Sequence, residues 1–229
     1  MLAPSLIALR DLTLQDVPLV LNYWFRSKPG FIESLGVDPN KMPTELQMAT
    51  NLVGVLEKNS LLPESKLHAL VITYDNEPVG FHTVNPITEG ETAIFHAHIF
   101  KSELRGKGLA YYSYPLACNL FIKRFNLKKI LFKTPIQNIG ALRVKEKLGI
   151  RYVGEEIIDF SIIKAGTLAK VFELDCAESE NLLVHLGLRP ENEVSLIDFN
   201  LTLTREERIL QHDQALATFL ELEKNSLNA

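Results

Sequence analysis

The sequence is poor in cysteine. It holds two, Cys118 and Cys176, in 229 residues. That count and spacing exclude a disulfide framework and a cysteine metal cluster, and they fit a reducing, cytoplasmic setting. Long apolar runs are also missing, so no membrane-spanning helix is expected. Met1 to Leu9 lacks the basic segment and cleavage pattern of a secretory leader. Positive charge is not in excess: the formal net charge is −4, which argues against general nucleic-acid binding. No repeat or low-complexity tract is present. The expected chain is therefore a folded protein with no metal, no nucleic-acid partner and no membrane partner.

What is present alternates between strand and helix patterns. Leu6 to Leu12 reads as a strand. Thr13 and Asp16 form a capping pair before a helix carrying Val17, Val20, Leu21, Trp24 and Phe25 on one face. Ser27 to Pro43 is loop-like. Thr44 and Gln47 form a second capping box, opening a helix to about Lys58, and 59–66 reads as a linker. Leu67 to Tyr74 and Pro78 to Asn85 read as a hairpin around Asp75-Asn76-Glu77. A strand over Glu91 to Lys101, a helix from about Gly108, and a strand over Lys129 to Thr134 follow. The helix Gly140 to Leu148 ends at Gly149, a natural terminating residue, and strands near Tyr152 to Ile163 and Ala169 to Leu174 complete the pattern. The fold class is α+β, close to α/β: a mixed, largely antiparallel sheet flanked by helices.

The most informative segment is Arg105-Gly106-Lys107-Gly108-Leu109-Ala110, between the Glu91 strand and the next helix. Two glycines at a strand-to-helix junction let several backbone N–H groups converge, an anion site suited to a pyrophosphate. The nucleoside-triphosphate loop spacing and the third glycine of a dinucleotide fingerprint are both absent.

Arg105, Gly108 and Ala110 match the R/Q-x-x-G-x-G/A loop of the GCN5-related N-acetyltransferase superfamily. Asn138-Ile139-Gly140-Ala141 followed by Lys147-Leu148-Gly149-Ile150 matches that superfamily's second motif. The chain resembles this superfamily over about residues 6 to 175, loosely its branch acting on protein N-termini and small amines. The resemblance implies an acetyltransferase domain over 1–176 with acetyl-CoA as cosubstrate. It implies a pyrophosphate cradle at Gly106, Lys107, Gly108, Leu109 and Ala110, with charge from Arg105 and Lys107. A backbone N–H at Ile99 or Phe100 would polarise the thioester. Asn138 would touch the pantetheine arm or cap its helix.

His96 and His98 stand two apart on the strand entering the loop and share one face. Either suits the removal of an amine proton near neutral pH, and structural histidines are the alternative. The position where many relatives carry an acidic tyrosine is Lys145, for which aid to the departing thiolate, a contact to cofactor phosphate and a solvated role are all open; the general acid is therefore unassigned, with Tyr111 or Tyr112 as replacements. The acceptor pocket is expected from Trp24, Phe31, His82 and Asn85, taking a small-molecule amine or a protein N-terminus. The departure at Lys145 also leaves open a coenzyme A-binding sensor module without turnover.

Residues 177–229 lie outside the resemblance. They hold ten acidic and four basic residues, a balance of −6, leaving +2 for the rest. Thr204 and Glu207 cap an expected helix with Ile209, Leu210, Leu216, Phe219, Leu220 and Leu222. This acidic extension reads as a packed extra helix, a lid, or a contact in a homodimer.

Overall fold

The structure, a computed structural model, describes residues 2–61, 68–159 and 162–188, without the side chains of 58–61. The strands are β1 Ile7–Asp11, β2 Ala69–Tyr74, β3 Glu77–Thr88, β4 Thr92–Ile99, β5 Lys129–Pro135, β6 Arg151–Ile158 and β7 Thr167–Asp175. The helices are α1 Val17–Phe25, α2 Phe31–Ser34, α3 Glu45–Leu61, α4 Leu109–Phe125, α5 Ile139–Leu148 and α6 Cys176–His185. One seven-stranded sheet has the order β1-β2-β3-β4-β5-β7-β6. Every pairing is antiparallel except β4 with β5. This is the expected mixed, mostly antiparallel α+β fold.

Alternation along the strands divides the core in two. Leu70, Ile72, Val84, Phe95 and Phe132 pack with α4 residues such as Leu116 and Phe121. Val71 and Phe81 point the other way and pack with Leu12, Val17, Val20, Leu21 and Tyr23. The β2–β3 hairpin turns at Asp75 and Asn76, both with positive φ (52° and 64°), a conformation that short polar residues tolerate. Asp16 closes the reciprocal capping box with Thr13 and takes two bonds of 2.6 Å from the Arg10 guanidinium. That pair fixes the entry of α1.

On α1 the expected face of Val17, Val20, Leu21, Trp24 and Phe25 packs on one cluster, and Tyr23 joins it as a further buried residue. Two features differ from the expected pattern. Strand β6 ends at Ile158, short of the expected Ile163. The expected loop before Pro43 contains the short helix α2 and a 3₁₀ turn over Pro39–Lys41. α6, which begins beside the expected boundary at 176, packs against α4, with Leu183 and Leu188 in the α4-side core. The helix expected after Thr204 lies outside the described residues.

Candidate active site

Strands β4 and β5 are paired only over Thr92–Ile94 and Lys129–Leu131. Past that point they part, and none of the described strands pairs with β4 there on the β5 side. The Phe100 N–H donates to the Val79 oxygen at 2.8 Å, which sets the phase of the β3–β4 ladder. By antiparallel alternation, the amides of Phe95, Ala97 and Ile99 then face the cleft between β4 and β5. The expectation for the thioester-polarising amide narrows accordingly: Phe100 is committed to β3, and Ile99 is turned to the cleft. The Ile99 carbonyl is itself held by Arg105, whose Nε and Nη2 donate at 3.2 and 2.8 Å. The same guanidinium stacks on Phe31 at 3.9 Å. Arg105 thus locks the loop to the strand end and to α2.

Gly106 and Gly108 both have positive φ, 74° and 98°, a turn that only glycine makes without strain. Tyr112 N–H makes the first bond of α4, to the Gly108 oxygen at 3.2 Å. The N–H groups of Leu109, Ala110 and Tyr111 are therefore the orphan donors of a 17-residue helix. With those of Gly106 and Gly108 they form the nest at one end of the cleft. The Lys107 N–H turns back to Leu104 at 3.4 Å, and its side chain is exposed.

His96 and His98 project from β4 on the α1 side, as expected from their spacing. His96 Nε2 donates to the Asn85 carbonyl at 2.8 Å. A carbonyl only accepts, so Nε2 carries the proton and Nδ1 is the ring's basic nitrogen. Burial holds the His96 pKa below its ordinary value, the Asn85 bond raises it less, and the Lys145 charge lowers it. His98 Nδ1 lies 3.2 Å from the Tyr23 hydroxyl, its ring stacked on Phe81 at 4.4 Å and edge-on to Trp24 at 5.0 Å. Burial pushes the His98 pKa well down, so it is neutral near pH 7. Tyr23 also meets Phe31 and Phe100 edge-to-face at 5.7 and 6.1 Å. Trp24 and Phe31 are thereby brought into one aromatic wall beside His98. Sequence reasoning missed Tyr23 and Phe81, since nothing in their spacing separates a wall residue from a core residue.

The other two expected acceptor residues are placed elsewhere. His82 is fully buried on the opposite face, bonded to Ser113 at 2.9 Å and packed against Phe95 and Tyr114. Burial takes its pKa down to about 3. Alternation along β3 puts it back-to-back with the His96 face. Asn85 is exposed and meets His96 through its backbone oxygen rather than its side chain.

Asn138 caps α5, its Oδ1 accepting from Ala141 N at 3.2 Å. Lys145, one of the candidates for a phosphate contact, is not solvated: it is 4 % exposed. Its Nζ donates to the Ala141 oxygen at 3.2 Å and lies 5.4 and 5.3 Å from the ring centres of Tyr114 and Phe132. Burial lowers its pKa to about 7. Tyr111 and Tyr112 stand in the first turn of α4, Tyr111 under the Lys147 ammonium at 4.6 Å. Among the described residues no group of His, Cys, Asp or Glu could hold a metal ion.

A strap lies against the C-terminal end of β5. Asp38 N–H donates to Ile162 O at 2.8 Å, Lys164 N–H to Gly36 O at 2.9 Å, and Val37 bridges Ile163. Lys41 Nζ adds bonds to Asp159 and to the Ile163 oxygen. Gly36 lies against Pro135 at the end of β5. No described helix is long and apolar enough to cross a membrane.

The acetyltransferase (GNAT) family matches residues 43–150. No curated protein matches the chain. Among solved structures, Mycobacterium smegmatis RimJ in complex with CoA-disulfide superposes with TM-score 0.62 at 17 % identity, over 79 % of this chain and 89 % of that one. A mutant form of spermidine N-acetyltransferase SpeG from Vibrio cholerae gives 0.58 at 19 %, over 77 % and 98 %. Ribosomal-protein-S5-alanine acetyltransferase from Vibrio fischeri gives 0.58 at 16 %, over 74 % and 93 %. At these identities the likeness is one of fold. The parted strands and the glycine nest before α4 lie within the matched segment: over residues 43–150 the chain is similar to the GNAT acetyltransferase family.

Proposed function

We propose that the chain is an acetyl-CoA-dependent N-acetyltransferase, moving an acetyl group to a primary amine of a small molecule or a protein N-terminus by direct attack. The observation that carries this reading is the cleft between β4 and β5, with an amide nest at its mouth and His96 near its fork. The pyrophosphate would sit on the N–H groups of Gly106, Gly108, Leu109, Ala110 and Tyr111, at the positive end of α4. Lys107 would add charge from solvent. The pantetheine arm would run along the cleft-facing amides of Ile99 and Ala97, with Asn138 and α5 on its other side. The Ile99 N–H would stabilise the oxyanion.

The acceptor would enter from the α1 side, over the wall of Trp24, Phe31 and Phe100. In the reaction the amine nitrogen attacks the thioester carbonyl carbon. Its proton passes to Nδ1 of His96, directly or through one water, and the C–S bond breaks with the electron pair on sulfur. His98, held by Tyr23 and Phe81, would position the wall. An aromatic lining with the Arg105 cation beside it favours an amine with one positive charge next to apolar surface over a polycation. Spermidine and ribosomal-protein-S5-alanine acetyltransferases among the structural neighbours support an amine as acceptor.

The test is acetyl transfer by the full chain from acetyl-CoA to a panel of amines, including 2-phenylethylamine, spermidine and an alanine-initiated peptide. The released thiol is measured. Transfer to the apolar amine or the peptide is expected. Coenzyme A binding with no transfer to any amine would instead identify a sensor module.

A further inference from the structure

Arg105 is a half-buried arginine without an acid. The other arginines of intermediate burial, Arg10 and Arg124, pair with Asp16 at 2.6 Å and with Asp11 at 2.7 Å. Among the described residues no carboxylate pairs with Arg105. Its polar partner is the Ile99 oxygen, which takes the Nε donor and one donor of Nη2. A guanidinium has five N–H donors, so three are left, on Nη1 and on the facing side of Nη2. That is the end-on fork that fits a carboxylate in two parallel bonds. A cation partly withdrawn from water with this fork unanswered gives the fold little in return.

The side chain stands where the cleft and the acceptor wall meet. The Ile99 oxygen lies on the cleft side of β4, as its amide does. Phe31, under the guanidinium at 3.9 Å, belongs to the wall. From His98 the wall runs through Tyr23 at 5.2 Å and on to Phe31 at 5.7 Å, and it ends at the Arg105 cation. The face therefore presents a base at His96, then aromatic surface, then one positive charge. His96 to Ile99 is three strand steps, about 10 Å. The nest has its own donors for a pyrophosphate in the N–H groups of Gly106, Gly108 and the first turn of α4. The Arg105 side chain is tied back from that loop to β4 and α2.

We propose that Arg105 receives a carboxylate of the acceptor, and that the acceptor is an amine carrying that carboxylate within about 10 Å of its nitrogen. The free fork of Nη1 and Nη2 takes the carboxylate, and the apolar part of the acceptor lies on the wall between. The Phe31 ring covers one face of the guanidinium and keeps water from it, which strengthens the ion pair. A free amino acid with an apolar side chain and a peptide N-terminus with an acidic second residue both carry this chemistry.

The assignment rests on the acetyl-transfer reading, and the experiment separates the two. Wild type, Arg105→Met and Arg105→Lys are compared in the full chain. Two acceptor pairs differ only in carboxylate against amide: phenylalanine and phenylalaninamide, and C-terminally amidated peptides beginning Ala-Glu and Ala-Gln. Released thiol gives kcat/KM, circular dichroism establishes folding and calorimetry gives the Kd for coenzyme A. Wild type is expected to prefer the acid in one pair by about tenfold or more, and that pair identifies the source. In R105M the preference falls to within about threefold, with the coenzyme A Kd also within about threefold of wild type. R105K keeps the charge without the fork and loses at least about threefold of the preference, which serves where R105M does not fold. Comparing one pair between proteins cancels the difference in amine acidity, and a loosened fold lowers both members alike. Wild-type ratios within about threefold in both pairs overturn the carboxylate site and leave acetyl transfer standing. So does a preference that persists in R105M. A preference lost together with a rise of more than about tenfold in the coenzyme A Kd makes Arg105 a cofactor-loop residue and overturns the assignment. Transfer to 2-phenylethylamine or spermidine but to none of the four overturns the carboxylate alone, and transfer to no amine overturns both.

Discussion

His96 gives its Nε2 proton to the Asn85 carbonyl at 2.8 Å, and that bond fixes which nitrogen of the ring is basic. A base presented through Nδ1 is held by β3 as well as by its own strand. His96→Ala is expected to lower kcat by about 100-fold or more with little change in coenzyme A affinity. Burial holds the His96 pKa below 6.5, so the working neutral form persists at neutral pH. The acid limb of the rate should fall below pH 6.5 and vanish in the alanine variant. Rate against pH for both proteins checks this.

Gly80 makes the β3–β4 contact at His98 possible. A Cβ at that position would clash with the His98 carbonyl oxygen and lie 3.2 Å from the Ile99 Cα. Neither backbone atom can yield without moving β4. Gly80→Ala should cost about 1–3 kcal/mol, the range for overpacking, and should impair transfer by displacing His98 and the Ile99 amide. Chemical denaturation and steady-state rates measure the two effects.

Gly36 anchors the strap. Its φ is 95°, and a Cβ there would meet the Pro135 ring at 2.8 Å. Gly36→Ala should destabilise by about 1–3 kcal/mol through backbone strain and contact together. Because Gly36 O holds Lys164 N–H, local hydrogen exchange at Lys164 should rise more than at β2.

Lys145 gives a stability signature with a definite sign. Its folded pKa is lowered from 10.5 to about 7 by burial, so between those values the unfolded chain holds a proton that the folded chain does not. Stability from this group therefore increases with pH across that interval, and the full penalty is present below 7. At about 1.4 kcal/mol per pKa unit the penalty is on the order of 5 kcal/mol. Lys145→Met should raise the denaturation midpoint at pH 7, and the gain should shrink toward pH 10.5. An equal gain at both pH values contradicts the assigned burial.

Local chemistry made much of this legible. The Thr13–Asp16 and Thr44–Gln47 capping boxes, the Asp75-Asn76 turn and Gly149 each stand where the residue pattern places them, because each depends on neighbours within a few residues. The glycine loop was legible for the same reason. What failed to show was long-range. Alternation places His96 and His98 on one face, but cannot say that His82 faces the other, because that depends on the pairing of β3 with β4. The burial of Lys145 was illegible, since a lysine late in an amphipathic helix ordinarily points to water. Only the meeting of α4, α5 and β5 closes over it. Pro115 inside α4 runs against local propensity, and burial of that helix against the sheet outweighs its missing donor.

On the proposed reading, the cleft from the Gly106–Tyr111 nest to the His96 fork holds coenzyme A. Isothermal titration of the full chain with coenzyme A measures it directly. Saturable one-to-one binding at micromolar ligand is expected, weakened at least about tenfold in Gly108→Val, whose side chain distorts the nest. No heat of binding at millimolar coenzyme A in the folded wild type would contradict the account.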